Sequence, residues 1–143
     1  AMAFAVMACA ACDGSGTAEE PAAVEQSSPA ASAAPAGKSS APSARALVKA
    51  LAERGHQLPN ARVNTGFCKD AGCVELVSTD AVSVYQFGTV AQAQRYAKVM
   101  AGAGPVEQAG VYVLSWAGRR GDELPSKAVR VRMIRDFRAL VKG

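Results

Sequence analysis

The four cysteines and the single histidine are the side chains of this sequence best suited to bind a metal, carry redox chemistry or accept a covalent group. Cys9 and Cys12 close an apolar run in "AVMACAACDGSG". Attachment of a c-type haem would need a histidine directly after the second cysteine, and Asp13 stands there instead. A redox Cys-x-x-Cys pair usually begins a helix beside a strand, and the small polar residues that follow do not predict one. The remaining interpretations are covalent lipidation and, as the alternative, a plain signal peptide or core-like apolar end in which the two cysteines do no chemistry.

The N-terminal segment resembles the lipobox of bacterial lipoproteins, in which an aliphatic residue and two small residues precede the cysteine that becomes acylated. Read to Cys12 the box is "CAAC", and read to Cys9 it is "VMAC". We favour Cys12, with Cys9 as second choice, because the polar tail begins directly after Cys12. The resemblance implies a signal-peptide remnant at 1–12, an acyl anchor such as palmitate, and a location on the extracytoplasmic face of the cell membrane. Since no charged n-region precedes the apolar run, we also expect residues upstream of Ala1.

A second pair, Cys68 and Cys73, encloses the short polar segment "KDAG". In an exported protein, two cysteines on either side of a turn predict a disulfide. A structural zinc site would need four Cys or His ligands, and this part of the chain offers only the two cysteines and His56. We therefore expect a Cys68–Cys73 disulfide and neither a metal ion nor another cofactor.

His56 follows a predicted helix stop at Gly55. As a general base it would need a nucleophile and an orienting carboxylate, for which Asp70 and Asp80 are candidates that no spacing singles out. The alternative is a structural role at the negative end of the helix dipole. Ser115 lacks a Gly-x-Ser-x-Gly context, and no phosphate loop, dinucleotide fingerprint or metalloprotease motif occurs. The sequence thus predicts no catalytic residue.

Composition divides the chain into an apolar end at 1–12, a disordered Ala/Ser/Pro-rich linker at 13–42 and a compact domain at 43–143. The linker cannot bury enough apolar surface to offset the entropy of ordering it. Its root-mean-square span would be roughly 30 Å, which is enough to hold a domain away from a membrane.

Within the domain, apolar periodicity and polar caps predict helices that begin after Ser43, Thr89 and Ser126. Runs rich in β-branched and aromatic residues predict strands at 61–67, 73–78, 82–87 and 110–116. A further short strand at Val106 is an open alternative. The order α-β-β-β-α-β-α predicts an α+β fold: a small antiparallel sheet with helices packed on one face.

The last segment is basic and ambiguous in its periodicity. Apolar and arginine residues alternate over 127–133 as in a strand, but the longer pattern over 127–142 is helical, so we predict a helix. One arc of this helix carries four cations: Arg132, Arg135, Arg138 and Lys142. The arc either contacts an anionic surface, such as lipid or a cell-wall polymer, or is a solvated helix face.

These observations predict a lipid-anchored extracytoplasmic binding or accessory module of the bacterial cell envelope, not an enzyme. Its expected partners are the membrane, through the lipid, and an envelope protein or anionic polymer; no nucleic acid is expected. The alternatives are a small exported enzyme without a motif and a module that grips anionic polymers through the basic helix. A pocket holding His56 beside a carboxylate would favour the enzyme. An exposed aromatic patch on the sheet would favour the binding module; the candidate residues are Tyr85, Phe87, Tyr112 and Trp116.

Overall fold

The structure is a computed structural model that describes residues 41–143. The predictions for the lipobox, including acylation of Cys12 or Cys9, and for nearly all of the linker lie outside the described residues. The helices are Ala44–Glu53 (α1), Cys68–Ala71 (α2), Val90–Met100 (α3) and Lys127–Lys142 (α4). The strands are Arg62–Val63 (β1), Glu75–Ser78 (β2), Ser83–Gln86 (β3), Val106–Ala109 (β4) and Tyr112–Ser115 (β5).

The strands form one antiparallel sheet in the order β1-β2-β3-β5-β4. The predicted α+β fold is therefore confirmed. Two details of the strand assignment differ. The strand predicted at 61–67 pairs over only two residues, because the chain turns into a 3-10 helix at Thr65–Phe67. The short strand at Val106 does form, since a left-handed Gly110 (φ 54°) closes a hairpin between β4 and β5.

Each of the three long helices begins at the polar residue that the sequence predicted. The side chains of Ser43, Thr89 and Ser126 accept hydrogen bonds from backbone N–H groups in the first turns of α1, α3 and α4. Gln92 completes a capping box with Thr89, because its side chain accepts from the Thr89 backbone.

The helices cover both faces of the sheet, which corrects the prediction that they pack on one face. Leu114 faces a core formed with α1 and α4, whereas Val113 faces α3 together with Ala93. The reason is the composition of β5, whose four residues are all buried. A strand that is apolar on both sides needs a cover on both sides.

Residues 127–133 are helical, so the longer of the two periodicities in the C-terminal segment decides its structure. Met133 and Phe137 are four residues apart and are both fully buried against α1 and the sheet. Two of the three apolar residues in the strand-like alternation point outward: Val129 is 46% exposed and Val131 57%.

Candidate functional site

A cleft of about 990 Å³ opens at one end of the domain. Its walls come from the residues after α1, the turn between β2 and β3, the segment after β5 and the first turns of α4. Gly55 has a left-handed backbone (φ 83°) that reverses the chain after α1 and so directs the next residue, His56, toward the cleft. The charged lining residues are Arg62, Asp80, Arg119, Asp122, Glu123 and Arg132.

His56 and Asp136 form a buried pair beside this cleft. The imidazole Nε2 lies 2.9 Å from Asp136 Oδ2, and the two side chains are 3% and 12% exposed. The His56 Nδ1 has no hydrogen-bond partner among residues 41–143. The carboxylate partner is therefore neither Asp70 nor Asp80, the two candidates from the sequence, but an aspartate eighty residues away.

The pair is embedded in a cationic surrounding that keeps Asp136 ionised. The hydrogen bond from His56 is the main cause that lowers the pKa of the Asp136 carboxyl below its ordinary value, and Arg135 adds to the effect against the opposing influence of burial. Arg135 Nη2 lies 3.0 Å from Asp136 Oδ1. Arg54 donates to the Asp136 backbone carbonyl at 3.3 Å, so the same contact also ties the end of α1 to α4.

The hydroxyls near the cleft are already occupied by structural hydrogen bonds. Thr79 donates to the Val82 carbonyl at 2.8 Å and accepts from two backbone N–H groups, which fixes the β2–β3 turn. Ser115 is buried and accepts from Ala117 N. A nucleophilic hydroxyl next to His56 is thus missing from the described residues, and chemistry at this site would have to act through water.

Arg119 holds the cleft in shape. Its guanidinium donates to three backbone carbonyls, those of Thr79 (2.6 Å), Asp80 (3.1 Å) and Ser115 (3.4 Å), and so joins the β2–β3 turn to the end of β5. Since three of its five N–H groups donate to the backbone, we assign Arg119 a structural role.

The predicted disulfide is present, because the sulfur atoms of Cys68 and Cys73 lie at bonding distance and their Cα atoms are 4.6 Å apart. This pair is at the other end of β2 from the cleft and contributes nothing to it.

The predicted basic arc lies on α4, but most of its cations already have partners. Arg132 donates to the Arg54 carbonyl at 3.1 Å. Arg135 pairs with Asp136, and Arg138 lies 2.6 Å from Glu107 on β4. Arg132 and Lys142 make no ion pair within residues 41–143. Two of the four charges in the arc, those of Arg135 and Arg138, are therefore compensated by carboxylates.

Of the four aromatic candidates for a ligand groove, Phe87, Tyr112 and Trp116 are buried in the core. Tyr85 alone is half-buried and lines a surface groove. Phe67 and Tyr96 line the same groove, although no pattern in the sequence predicted a role for them.

The sequence did contain a signal for Asp136. It lies three residues after Met133 and one before Phe137, so a helical wheel places this acid next to the buried arc of α4. A carboxylate in that position needs a partner.

Within residues 41–143 no helix combines the length and the apolar character that crossing a membrane requires. The same range contains no group of three or more His, Cys, Asp or Glu side chains arranged to hold a metal ion.

No protein-family model, curated protein or solved structure matches the chain.

Proposed function

We propose that this chain is a lipid-anchored, extracytoplasmic binding or accessory module of the bacterial cell envelope, and that the cleft beside His56 is where it holds a ligand. The lipid and the location rest on the resemblance of the N-terminal segment to a lipobox. The binding role rests on the cleft.

The cleft itself is the observation that carries the binding role. Its volume of about 990 Å³ lies at the upper end of the range that small-molecule sites occupy. It is walled by backbone segments that Arg119 and the His56–Asp136 pair fix in place, so the space exists without a ligand.

The charges of the lining indicate a ligand with both a positive and a negative group. Asp122 and Glu123 accept no hydrogen bond from a described side chain, and both line the cleft beside Arg132. The Arg62–Asp80 pair, at 3.4 Å and largely exposed, is weak enough to open for a ligand. A zwitterion such as a short peptide satisfies walls of both signs, whereas a polyanion would meet the carboxylates.

The test is a titration of the full ¹⁵N-labelled chain with the dipeptide alanylalanine, followed by NMR. We expect the amides of Gly55 and Gly118, which lie in the cleft wall, to shift with a saturable dependence on concentration. Glu123→Gln and Arg132→Gln should each raise the Kd about fivefold, the equivalent of one exposed charge contact.

Asp70→Asn, which removes a carboxylate outside the cleft, serves as the matched control and should leave the Kd unchanged. If the amide resonances of the cleft do not shift with alanylalanine, with free amino acids or with acidic sugars, the proposal that this cleft binds a ligand is wrong.

A second candidate function is favoured by the buried His56–Asp136 pair. A histidine oriented by a carboxylate, with its other nitrogen unpaired beside a cleft, is an arrangement that can activate water for hydrolysis. Turnover of esters, phosphoesters or amides by the full chain that His56→Gln abolishes would favour a hydrolase. Equal rates for wild type and His56→Gln would leave the pair with the structural role of joining α1 to α4.

A further inference from the structure

A second groove, of about 430 Å³, lies on the sheet face that α3 covers. One side is the segment that contains Phe67 and Asp70, and the floor includes Leu76 of β2 and Tyr85 of β3. Tyr96 of α3 forms the other side. None of these residues lines the cleft beside His56, so the two sites are separate.

The groove is rich in aromatic surface. The ring centroids of Tyr85 and Tyr96 are 4.7 Å apart, and the buried Phe87 supports them at 5.1 Å from Tyr96. Phe67 is 68% exposed, whereas the other two phenylalanines within residues 41–143, Phe87 and Phe137, are buried. Phe67 lines one groove with Tyr85 and Tyr96, so the groove offers aromatic surface to a ligand.

Phe67 is exposed on a constrained segment rather than on a loose loop. It ends the 3-10 helix Thr65–Phe67, and the next residue, Cys68, is buried and bonded to Cys73. The backbone N–H of Asn64 donates to Leu76 O at 2.9 Å, which fixes the start of the same segment to β2. The disulfide and this hydrogen bond therefore hold the segment in place, and the Phe67 ring stays exposed to water although its exposure is unfavourable.

The charge of the groove is negative. Asp70 is the charged residue of its lining, and it makes no ion pair within residues 41–143. Burial raises the pKa of the Tyr96 phenol above its ordinary range, and the neighbouring Tyr85 adds to this, so the phenol stays neutral. Arg62, on the strand that pairs with Ser78 of the groove, is turned toward Asp80.

We propose that this groove binds a small organic cation of the alkylated ammonium class, held against the rings of Phe67, Tyr85 and Tyr96 and attracted by Asp70. A quaternary ammonium has no N–H group to satisfy, so aromatic faces replace its hydration shell at little cost, and the ring quadrupoles attract its charge. Within residues 41–143 the side chains of Asn64 and Ser78 make no hydrogen bond, so they suit a hydroxyl on such a ligand.

The experiment is a titration of the full, oxidised ¹⁵N-labelled chain with choline chloride at low ionic strength, with sodium chloride as the reference salt. We expect saturable shifts of the Gly66 and Gly72 amides, which flank Phe67 and Asp70, with a Kd in the millimolar range. Phe67→Leu keeps an apolar side chain without the ring, and it should raise the Kd about fivefold.

Two further variants test whether the charge of Asp70 contributes to choline binding. Asp70→Asn should raise the Kd about fivefold at low salt and less at high salt. Glu53→Gln, which removes an exposed carboxylate outside both sites, is the matched control and should leave the Kd for choline unchanged. Reduction of the disulfide should weaken choline binding, because it releases the segment that holds Phe67.

The proposal is wrong if choline causes no saturable shift, or if Phe67→Leu and Asp70→Asn both bind choline as well as wild type does. Shifts of the same amides with glucose but not with choline would instead assign the groove to a neutral saccharide and overturn the cation. Since the ligands and the reporting amides differ from those used for the cleft, failure here leaves the proposed function of the cleft standing, and the reverse also holds.

Discussion

Loss of the Cys68–Cys73 disulfide should destabilise the domain by an amount that follows from the size of the loop. The sequence separation of the two cysteines is only 5, so the bond removes a modest part of the entropy of the unfolded chain, about 2 kcal/mol at 25 °C. For a domain of this size, a loss of that magnitude lowers Tm by roughly 10 °C.

The measurement is urea unfolding of the full chain, followed by the fluorescence of its single tryptophan. Trp116 is fully buried, so its emission reports loss of the core. The wild-type protein in dithiothreitol keeps both sulfur atoms and lacks only the bond, so its free energy of unfolding should fall by about 2 kcal/mol. Cys68→Ala with Cys73→Ala should lose more, because Cys68 is also packed in the interior.

The double variant also supplies the control. It lacks Cys68 and Cys73 but keeps Cys9 and Cys12, so it would reveal any effect of dithiothreitol through those two cysteines. We expect no change in its free energy of unfolding when dithiothreitol is added. Equal stability of the oxidised and reduced wild-type chains would refute the reasoning, because the disulfide would then not lower the conformational entropy of the unfolded chain.

Two further predictions concern the acid side of the stability curve and the N-terminus. Because the folded pKa of Asp136 is lowered, this carboxylate stabilises the fold above its ordinary pKa of 3.8, and the contribution is lost as the pH falls through the folded value. The free energy of unfolding of Asp136→Asn should therefore fall less steeply than that of wild type from about pH 5 to about pH 2, and parallel curves would contradict the role of the His56 pair. Mass spectrometry of protein made from a full-length gene in a bacterial host should find an acylated species that begins at Cys12, or at Cys9 as second choice. Unmodified protein in the medium with a different first residue would exclude the lipid anchor.

Local signals in the sequence were sufficient for much of the fold. Ser43, Thr89 and Ser126 cap their helices as predicted, because a cap depends on residues within one turn. The disulfide was predictable for the same reason, since Cys68 and Cys73 are close along the chain.

Features that depend on distant residues were not predictable in this way. Helix α3 covers the face of β5 opposite to α1 and α4, because β5 is apolar on both faces. The pattern of strands and helices along the sequence does not determine which face of the sheet a helix covers. The partner of His56 is eighty residues away, so no spacing rule could have selected it. The aromatic groove likewise joins Phe67 to Tyr96 across two strands.

Helix α1 separates the point where the chain enters the domain from the cleft, because the two lie at its opposite ends. The chain joins the domain at Pro42, whose carbonyl accepts a hydrogen bond from Tyr112, and the Ala44 N–H donates to Gln86. The cleft begins after the last turn of α1, about 15 Å further along the helix axis. A tether that pulls from the N-terminal side would load the contacts of Pro42 and Ala44 and leave the His56 end under no tension.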